Sequence, residues 1–277
     1  MRDHGPVTEM ASWTYLMDLN GVLLRDEEHA VPGAAAFLSA LRERDLPFMV
    51  FTNTSMHTPQ GLRSQLLRRD LDVPEQRIWT SALATARFLD QQRPRGSAYV
   101  IGESGLTTAL TDIGYELTDR DPDYVILGEI RTYSFESITT AIRLIERGAR
   151  FLATNPDEQG RGERGLLPAT GAVAALVERV TGRSPYYVGK PNPLMMRSAL
   201  RRLGAHSEHT VVVGDRMDTD VKSGLEAGMR TILVLSGLSD ESAAVDFPYR
   251  PGEVINSVAD IADHVEDPFR TDREHRP

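Results

Sequence analysis

Short, almost wholly apolar runs alternate along this chain with longer stretches whose apolar residues recur at helical spacing. Residues 13–17 form such a run entering Asp18, the pattern of a buried strand with an acid at its C-terminal end. Val31-Pro32-Gly33 then opens a segment in which Ala34, Phe37, Leu38 and Leu41 line one helical face. A second buried strand is predicted over 46–51, running into Thr52-Asn53-Thr54-Ser55, with a helix over about 60–69. Strand, helix, strand, helix at this spacing implies a parallel sheet with right-handed crossovers. The middle of the chain repeats the alternation, with strands predicted at 98–101, 124–127 and 150–153 and helices near 137–147 and 171–180. A third block holds an extended segment at 186–189, a helix carrying Met196, Leu200 and Leu203, and strands at 211–213 and 231–235. From Glu266 the tail is charged and aperiodic and is expected to fray. There is no solenoid repeat and no low-complexity linker, so a second domain would have to be inserted through short connections.

Composition narrows the class. Of the 277 residues, 40% are hydrophobic and 26% charged, enough apolar content to build a core and to exclude wholesale disorder. The charge of −9 argues against a nucleic-acid polymer as partner, because phosphate backbones need a basic footprint. A small phosphorylated molecule in a local positive pocket is compatible with it. The absence of cysteine removes disulfides, thiolate metal sites and a cysteine nucleophile. No apolar run is long enough to span a bilayer, and residues 1–12 lack a signal-peptide core, so no membrane association and a cytoplasmic location are expected. Only two of the 31 basic residues are lysine, Lys190 and Lys222. In a chain that uses arginine almost everywhere, a retained lysine is a candidate for a place needing a compact ammonium.

Four groups of polar residues fall at predicted strand ends: Asp18 with Asn20, Thr52 with Asn53, Lys190, and Asp215 with Asp218 and Asp220. Open parallel sheets bind ligands at these ends. The carboxylates of Asp18 and Asp215 suit a hard cation such as Mg²⁺. The Thr52 hydroxyl and the backbone N–H groups after it, ahead of a helix, suit phosphate oxygens, and Lys190 adds a point charge against a phosphoryl group. A carboxylate beside such a cation and an immobilised phosphate is a candidate nucleophile. Other signals are weaker. Gly102-Glu103-Ser104-Gly105 lacks the spacing of a nucleophile elbow, Gly189-Lys190-Pro191 is no P-loop, and the seven histidines offer no zinc pair. Tyr186-Tyr187 reads as packing, and Arg131, Arg161 and Arg164 as candidate anion contacts among many surface arginines.

Asp18-Leu19-Asn20-Gly21-Val22, Thr52-Asn53-Thr54-Ser55, Lys190-Pro191 and the run from Gly214-Asp215 to Asp220 together resemble motifs I to IV of the haloacid-dehalogenase-like phosphatases. Ala153-Thr154-Asn155-Pro156-Asp157, Tyr187-Val188-Gly189-Lys190-Pro191 and Leu233-Val234-Leu235-Ser236-Gly237 are similar to the NagD-like branch, which includes nucleotide monophosphatases, p-nitrophenyl phosphatases and phosphoglycolate phosphatases. The resemblance implies an α/β fold with a Rossmann-like parallel-sheet core, residues 1–82 and 185–277, and an inserted α/β cap domain, residues 83–184. It implies a phosphomonoesterase of small cytosolic phosphates, of nucleoside monophosphate, sugar phosphate or phosphoglycolate type. Asp18 would become a phospho-aspartate. Mg²⁺ would be held by Asp18, Asp215 and the backbone carbonyl of Asn20, with Asp220 supporting its waters. Thr52, Asn53, Thr54 and Lys190 would bind the phosphoryl group. Asn155 and Asp157 would contact substrate or order a loop, and an Asx-type turn before Pro156 is an equal reading. A cap-mediated homodimer is consistent with the resemblance.

One position departs from the family pattern. Asn20 stands where the family has a second aspartate, the group that protonates the leaving alcohol and later activates water. An amide does neither at neutral pH. General acid–base catalysis is worth about 10²–10⁴ in rate, so slowed or trapped turnover is expected. An engineered Asp-to-Asn exchange is the first reading. A natural phosphometabolite-binding protein without hydrolysis, a phosphotransferase, and hydrolysis through Asp26, Glu27 or His57 stay open.

Overall fold

The computed structural model describes residues 12–26, 28–162 and 165–270. Its strands are, in chain order, β1 (Thr14–Met17), β2 (Phe48–Thr52), β3 (Ile78–Thr80), β4 (Ser97–Ile101), β5 (Glu116–Leu117), β6 (Tyr124–Leu127), β7 (Arg150–Ala153), β8 (Gln159–Gly162), β9 (Gly165–Pro168), β10 (Tyr186–Tyr187), β11 (Thr210–Gly214), β12 (Arg230–Val234) and β13 (Glu253–Ile255). Helices α1 (Ala34–Glu43), α2 (Pro59–Leu67), α3 (Ser81–Gln92), α4 (Ser104–Asp112), α5 (Phe135–Glu146), α6 (Thr170–Thr181) and α7 (Pro193–Leu203) connect most of them.

The fold is α/β with parallel sheets, as the alternation predicts, and Rossmann-like, as the resemblance implies. A six-stranded parallel sheet has the order β13-β12-β11-β1-β2-β3. A five-stranded parallel sheet, β10-β7-β6-β4-β5, is built from the middle of the chain, and β8 and β9 form a separate antiparallel hairpin. In the first sheet β1 lies between β11 and β2, so strand order runs outward from it in both directions. Asp18, Thr52 and Asp215 therefore come side by side at one edge. Strands β1, β2 and β11 are buried along their full length, which matches their unbroken apolar runs and the helical cover on both faces of a parallel sheet.

The predicted strands in the middle block agree with β4, β6 and β7 to within one residue, and the predicted helices there with α5 and α6 to within two. The boundaries expected between core and insertion cut through structure at two points. Helix α3 runs across 82/83, and β10, beyond residue 184, pairs with β7 in the second sheet. One apolar cluster joins the sheets: Leu16, Met49 and Phe51 of the first share it with Ala98, Ile126 and Leu152 of the second, with Leu106 and Met195 from α4 and α7.

The expected fraying from Glu266 does not occur up to residue 270. Val265 and Phe269 are buried. The Phe269 ring meets Trp13 edge-on at 5.4 Å, and the Arg230 guanidinium lies over its face. The Tyr15 hydroxyl donates to the Val265 carbonyl at 2.6 Å. One aromatic anchor in a charged segment has no periodicity to announce it. Phe269→Ala should cost about 3–5 kcal/mol, the usual cost of emptying an aromatic core site. Urea unfolding checks this, and a midpoint equal to the parent's would show that the tail is not part of the core.

Candidate active site

Lys190 leaves the loop after β10 and points into the edge formed by β1, β2 and β11. Its Nζ lies 2.7 Å from Asp18 Oδ1 and 2.8 Å from Asp220 Oδ1, and the residue is only 3% exposed. The ammonium also stands 4.5 Å from the centre of the Phe51 ring, a cation–π contact. Asp220 comes from a five-residue π-helical turn, Met217–Val221, that follows β11. Such wide turns recur at functional sites. The Lys190–Pro191 peptide is cis.

Asp18, Asp215 and Asp220 each present a carboxylate oxygen within 4.8 Å of the others. One ammonium cannot balance three buried carboxylates. Burial pushes the Asp18 carboxyl up to about 7; Lys190 draws it down, and Asp220 and Asp215 push it further up. Burial, then Asp220, raises Asp215 to about 6 against the Leu238 N–H, which donates to its Oδ2 at 2.8 Å. Burial alone would lower Lys190, but Asp18 and Asp220 outweigh it and hold the ammonium above the usual lysine value. Asp18 Oδ2 and Asp215 Oδ1 carry no hydrogen bond among the described residues. Surplus negative charge with free carboxylate oxygens fits a hard, oxygen-seeking divalent cation.

Close backbone approach holds Asp215 in place. A Cβ on Gly21, whose φ is +77°, would lie 2.4 Å from Asp215 Oδ2, and one on Gly237 would lie 2.1 Å from it. Neither position has room for a side chain.

The residues after β2 behave differently from one another. Thr52 is buried, and its Oγ1 accepts the Thr54 N–H at 3.3 Å. The Asn53 side chain is spent on structure. Its Oδ1 accepts the Lys190 N–H at 2.7 Å, and its Nδ2 donates to the Lys190 carbonyl at 3.1 Å and to Asp157 Oδ2 at 3.0 Å. These partners engage both ends of the Asn53 amide, so the part of Asn53 left for a ligand is its backbone N–H. The Thr54 hydroxyl donates to Glu129 Oε2 at 2.8 Å. Asn155 and Asp157 form the Asx-type turn: the Asp157 N–H donates to Asn155 Oδ1 at 3.1 Å, while Asn155 Nδ2 donates to the Asn53 carbonyl at 2.9 Å.

Two residues of this network carry no assignment from sequence. Arg216 donates to Asp157 Oδ1 at 2.9 Å and, through Nε and Nη2, to both oxygens of Asp218. Glu129 follows the apolar strand β6 by two residues, so the rule that singled out Asp18, an acid at a strand's C-terminal end, would have found it. Asn20 is exposed, two residues beyond Asp18. Asp26 is exposed and tied to the Glu28 and His29 N–H groups. His57 is half-buried, near the start of α2. Glu27, Arg164 and the side chain of Arg161 lie outside the described residues. Tyr186 stacks on Phe88 at 5.0 Å, the packing role expected of it.

A parallel sheet with aspartate, threonine and aspartate at adjoining strand ends, and a lysine reaching them from the loop after β10, defines a class, and comparison with known proteins identifies it. A haloacid dehalogenase-like hydrolase model matches residues 15–116, and a second HAD-hydrolase-like model matches residues 187–261. The dihydroxyacetone phosphatase of Corynebacterium glutamicum is 58% identical over 264 residues, covering 95% of this chain and 96% of its own. The ribonucleotide monophosphatase NagD of Escherichia coli K12 is 45% identical over 246 residues, covering 89% of this chain and 96% of its own. The solved NagD structure superposes with a TM-score of 0.85 at 44% identity, over 91% of this chain and 99% of that one. A p-nitrophenyl phosphatase from Archaeoglobus fulgidus superposes with a TM-score of 0.86 at 32% identity, over 91% and 98% of the two chains. The chain belongs to the haloacid dehalogenase-like hydrolases. Within them it falls in subclass IIA, the branch of NagD and the p-nitrophenyl phosphatases, and it is a phosphoric monoester hydrolase.

The position of Asn53 makes a test possible without any assay of activity. Asn53→Ala strips the buried Lys190 N–H of its acceptor, and leaving a buried donor unpaired costs about 1–3 kcal/mol. Urea unfolding of the variant should show a loss in that range, and an unchanged midpoint would mean that water replaces the amide at no cost.

Proposed function

We propose that this enzyme hydrolyses the monophosphate esters of small metabolites through a phospho-aspartate on Asp18. The observation that carries the reading is Asp18 itself, a buried carboxylate at the end of the central strand with the Lys190 ammonium at 2.7 Å and Asp215 beside it. In the first step an Asp18 oxygen attacks phosphorus and the P–O bond to the leaving group breaks. Thr52, the backbone N–H groups after it and Lys190 hold the phosphoryl oxygens. Lys190 also keeps Asp18 in position for attack. Mg²⁺ held by Asp18, Asp215 and the Asn20 carbonyl, with Asp220 in support, would neutralise charge shared between carboxylates and phosphoryl oxygens. In the second step water attacks phosphorus, and Asp18 is released with inorganic phosphate.

Both steps need a proton moved near position 20. The leaving alkoxide needs one delivered, and the attacking water needs one removed. The Asn20 amide accepts and donates hydrogen bonds but does not titrate near neutral pH, so it can orient water and cannot exchange a proton with it. An ester with an acidic leaving group escapes the first requirement. The second sheet, the region 83–184 with β10, acts in this reading as a cap that excludes water from the reacting group and selects the ester. Candidate substrates are nucleoside monophosphates, sugar phosphates, phosphoglycolate and, from the 58% identical relative, a triose-sized phosphate. Asn20 also favours a second reading, a phosphometabolite-binding protein that does not turn over.

p-Nitrophenyl phosphate with Mg²⁺ separates the two. The expected result is a burst of about one p-nitrophenolate per chain with a phosphoryl adduct on Asp18 by mass spectrometry, and neither in Asp18→Asn. Asn20→Asp should raise the steady-state rate about 10²–10⁴-fold. Phosphate binding with no burst, no adduct and no gain in Asn20→Asp would establish the binding protein instead. The mass at position 20 identifies any turnover due to deamidated chains.

A further inference from the structure

The segment that follows β2 and carries the phosphoryl-binding groups is held in place by the second sheet, and one side chain does most of the holding. Glu129, just beyond β6, accepts the Ser55 N–H at 2.7 Å and the Thr54 hydroxyl at 2.8 Å, both on Oε2. Its own N–H donates to Ser55 Oγ at 2.8 Å, so Glu129 and Ser55 are paired in both directions. The Thr154 hydroxyl, at the end of β7, donates to the same Ser55 Oγ at 3.2 Å, and the Gly105 N–H of α4 donates to the Met56 carbonyl at 3.1 Å. The fit is close: a Cβ on Gly128 would lie 2.9 Å from Ser55 Oγ. Burial raises the Glu129 carboxyl while Ser55 and Thr54 pull it back. The segment 53–56 has no regular structure of its own, so its shape depends on these partners.

We propose that Glu129 is a positioning residue of the hydrolase: by holding Ser55 and Thr54 it sets the turn after β2 so that the Thr52 hydroxyl and the N–H groups behind it converge on a bound phosphoryl group. The proposal rests on the reading of that turn as the phosphoryl-binding segment. Glu129 lies 74 residues from Ser55 in sequence and acts through Ser55 and Thr54 rather than on the substrate. It acts as an acceptor of hydrogen bonds, so an amide of the same shape can replace it and a hydrocarbon of the same size cannot.

The probe is inorganic phosphate, titrated with Mg²⁺ into the full-length chain by calorimetry, with thermal melting of each variant alongside. Glu129→Leu should weaken phosphate binding about tenfold or more, and Glu129→Gln should stay within about threefold of the parent, the difference expected for losing or keeping hydrogen bonds at one acceptor. The KM for p-nitrophenyl phosphate should rise in the same order. Glu129→Asp, which keeps the charge but withdraws the carboxylate by one methylene, should weaken binding about fivefold and serves if the leucine variant does not fold. Parent-like phosphate binding in a folded leucine or aspartate variant overturns the proposal, as does equal weakening in leucine and glutamine. A parent chain that binds no phosphate would fail the functional reading itself and take the proposal with it.

Discussion

Lys190 places a full positive charge among three buried aspartates, and the rest of the site is arranged around keeping it there. Taking an ammonium out of water costs several kcal/mol, recovered only if partners are close and well oriented. Asp18 and Asp220 provide this at 2.7 and 2.8 Å, and Phe51 offers its ring face. The Lys190 backbone is gripped as firmly as its tip, with Asn53 bonding both its N–H and its carbonyl. Lys190 draws the Asp18 and Asp215 carboxyls down against the burial that raises them. The surplus that Lys190 leaves uncancelled makes Asp18, Asp215 and Asp220 a group that could hold a metal ion.

The same constraint explains how the two sheets are joined. Each parallel sheet turns its strand ends toward the turn after β2, and the polar groups there satisfy one another across the gap. Asp157 binds Asn53 from the side of the second sheet and Arg216 from the side of the first. Asn155 and Ser81 both donate to the Asn53 carbonyl. Behind this polar seam lies the apolar cluster common to both sheets. The second sheet is therefore a structural wall of the turn after β2.

Position 20 stands apart from the buried charge cluster. Everything that holds charge in place lies behind Asp18, in the buried cluster, while Asn20 is exposed at its mouth. Exchanging an acid for an amide there leaves the Lys190 network and the carboxylates of Asp215 and Asp220 untouched.

How much of this was legible in the chain divides along physical lines. Local signals were enough for the longer parallel strands β1, β2, β6, β7, β11 and β12, because a strand buried on both faces must be apolar throughout, and they marked Asp18, Thr52 and Asp215 as polar residues at the ends of such runs and Lys190 as one of only two lysines. Elements without a local signature were invisible: β3 is three residues long, β8 is polar and glycine-rich, β9 is two leucines between a glycine and a proline, and Phe269 is one aromatic in a charged tail. The roles of Asn53 and Glu129 were beyond reach for another reason. Both are decided by partners far away in sequence, Asn53 by Lys190 and Asp157, Glu129 by Thr54 and Ser55. The sequence by itself determined which residues carry the charge and which strands bring them to one edge, since burial and hydrophobic pattern are properties of each segment. Only the tertiary structure decided which of those polar groups are consumed in holding the site and which remain free to act, since a hydrogen bond between distant segments exists only once the chain has folded.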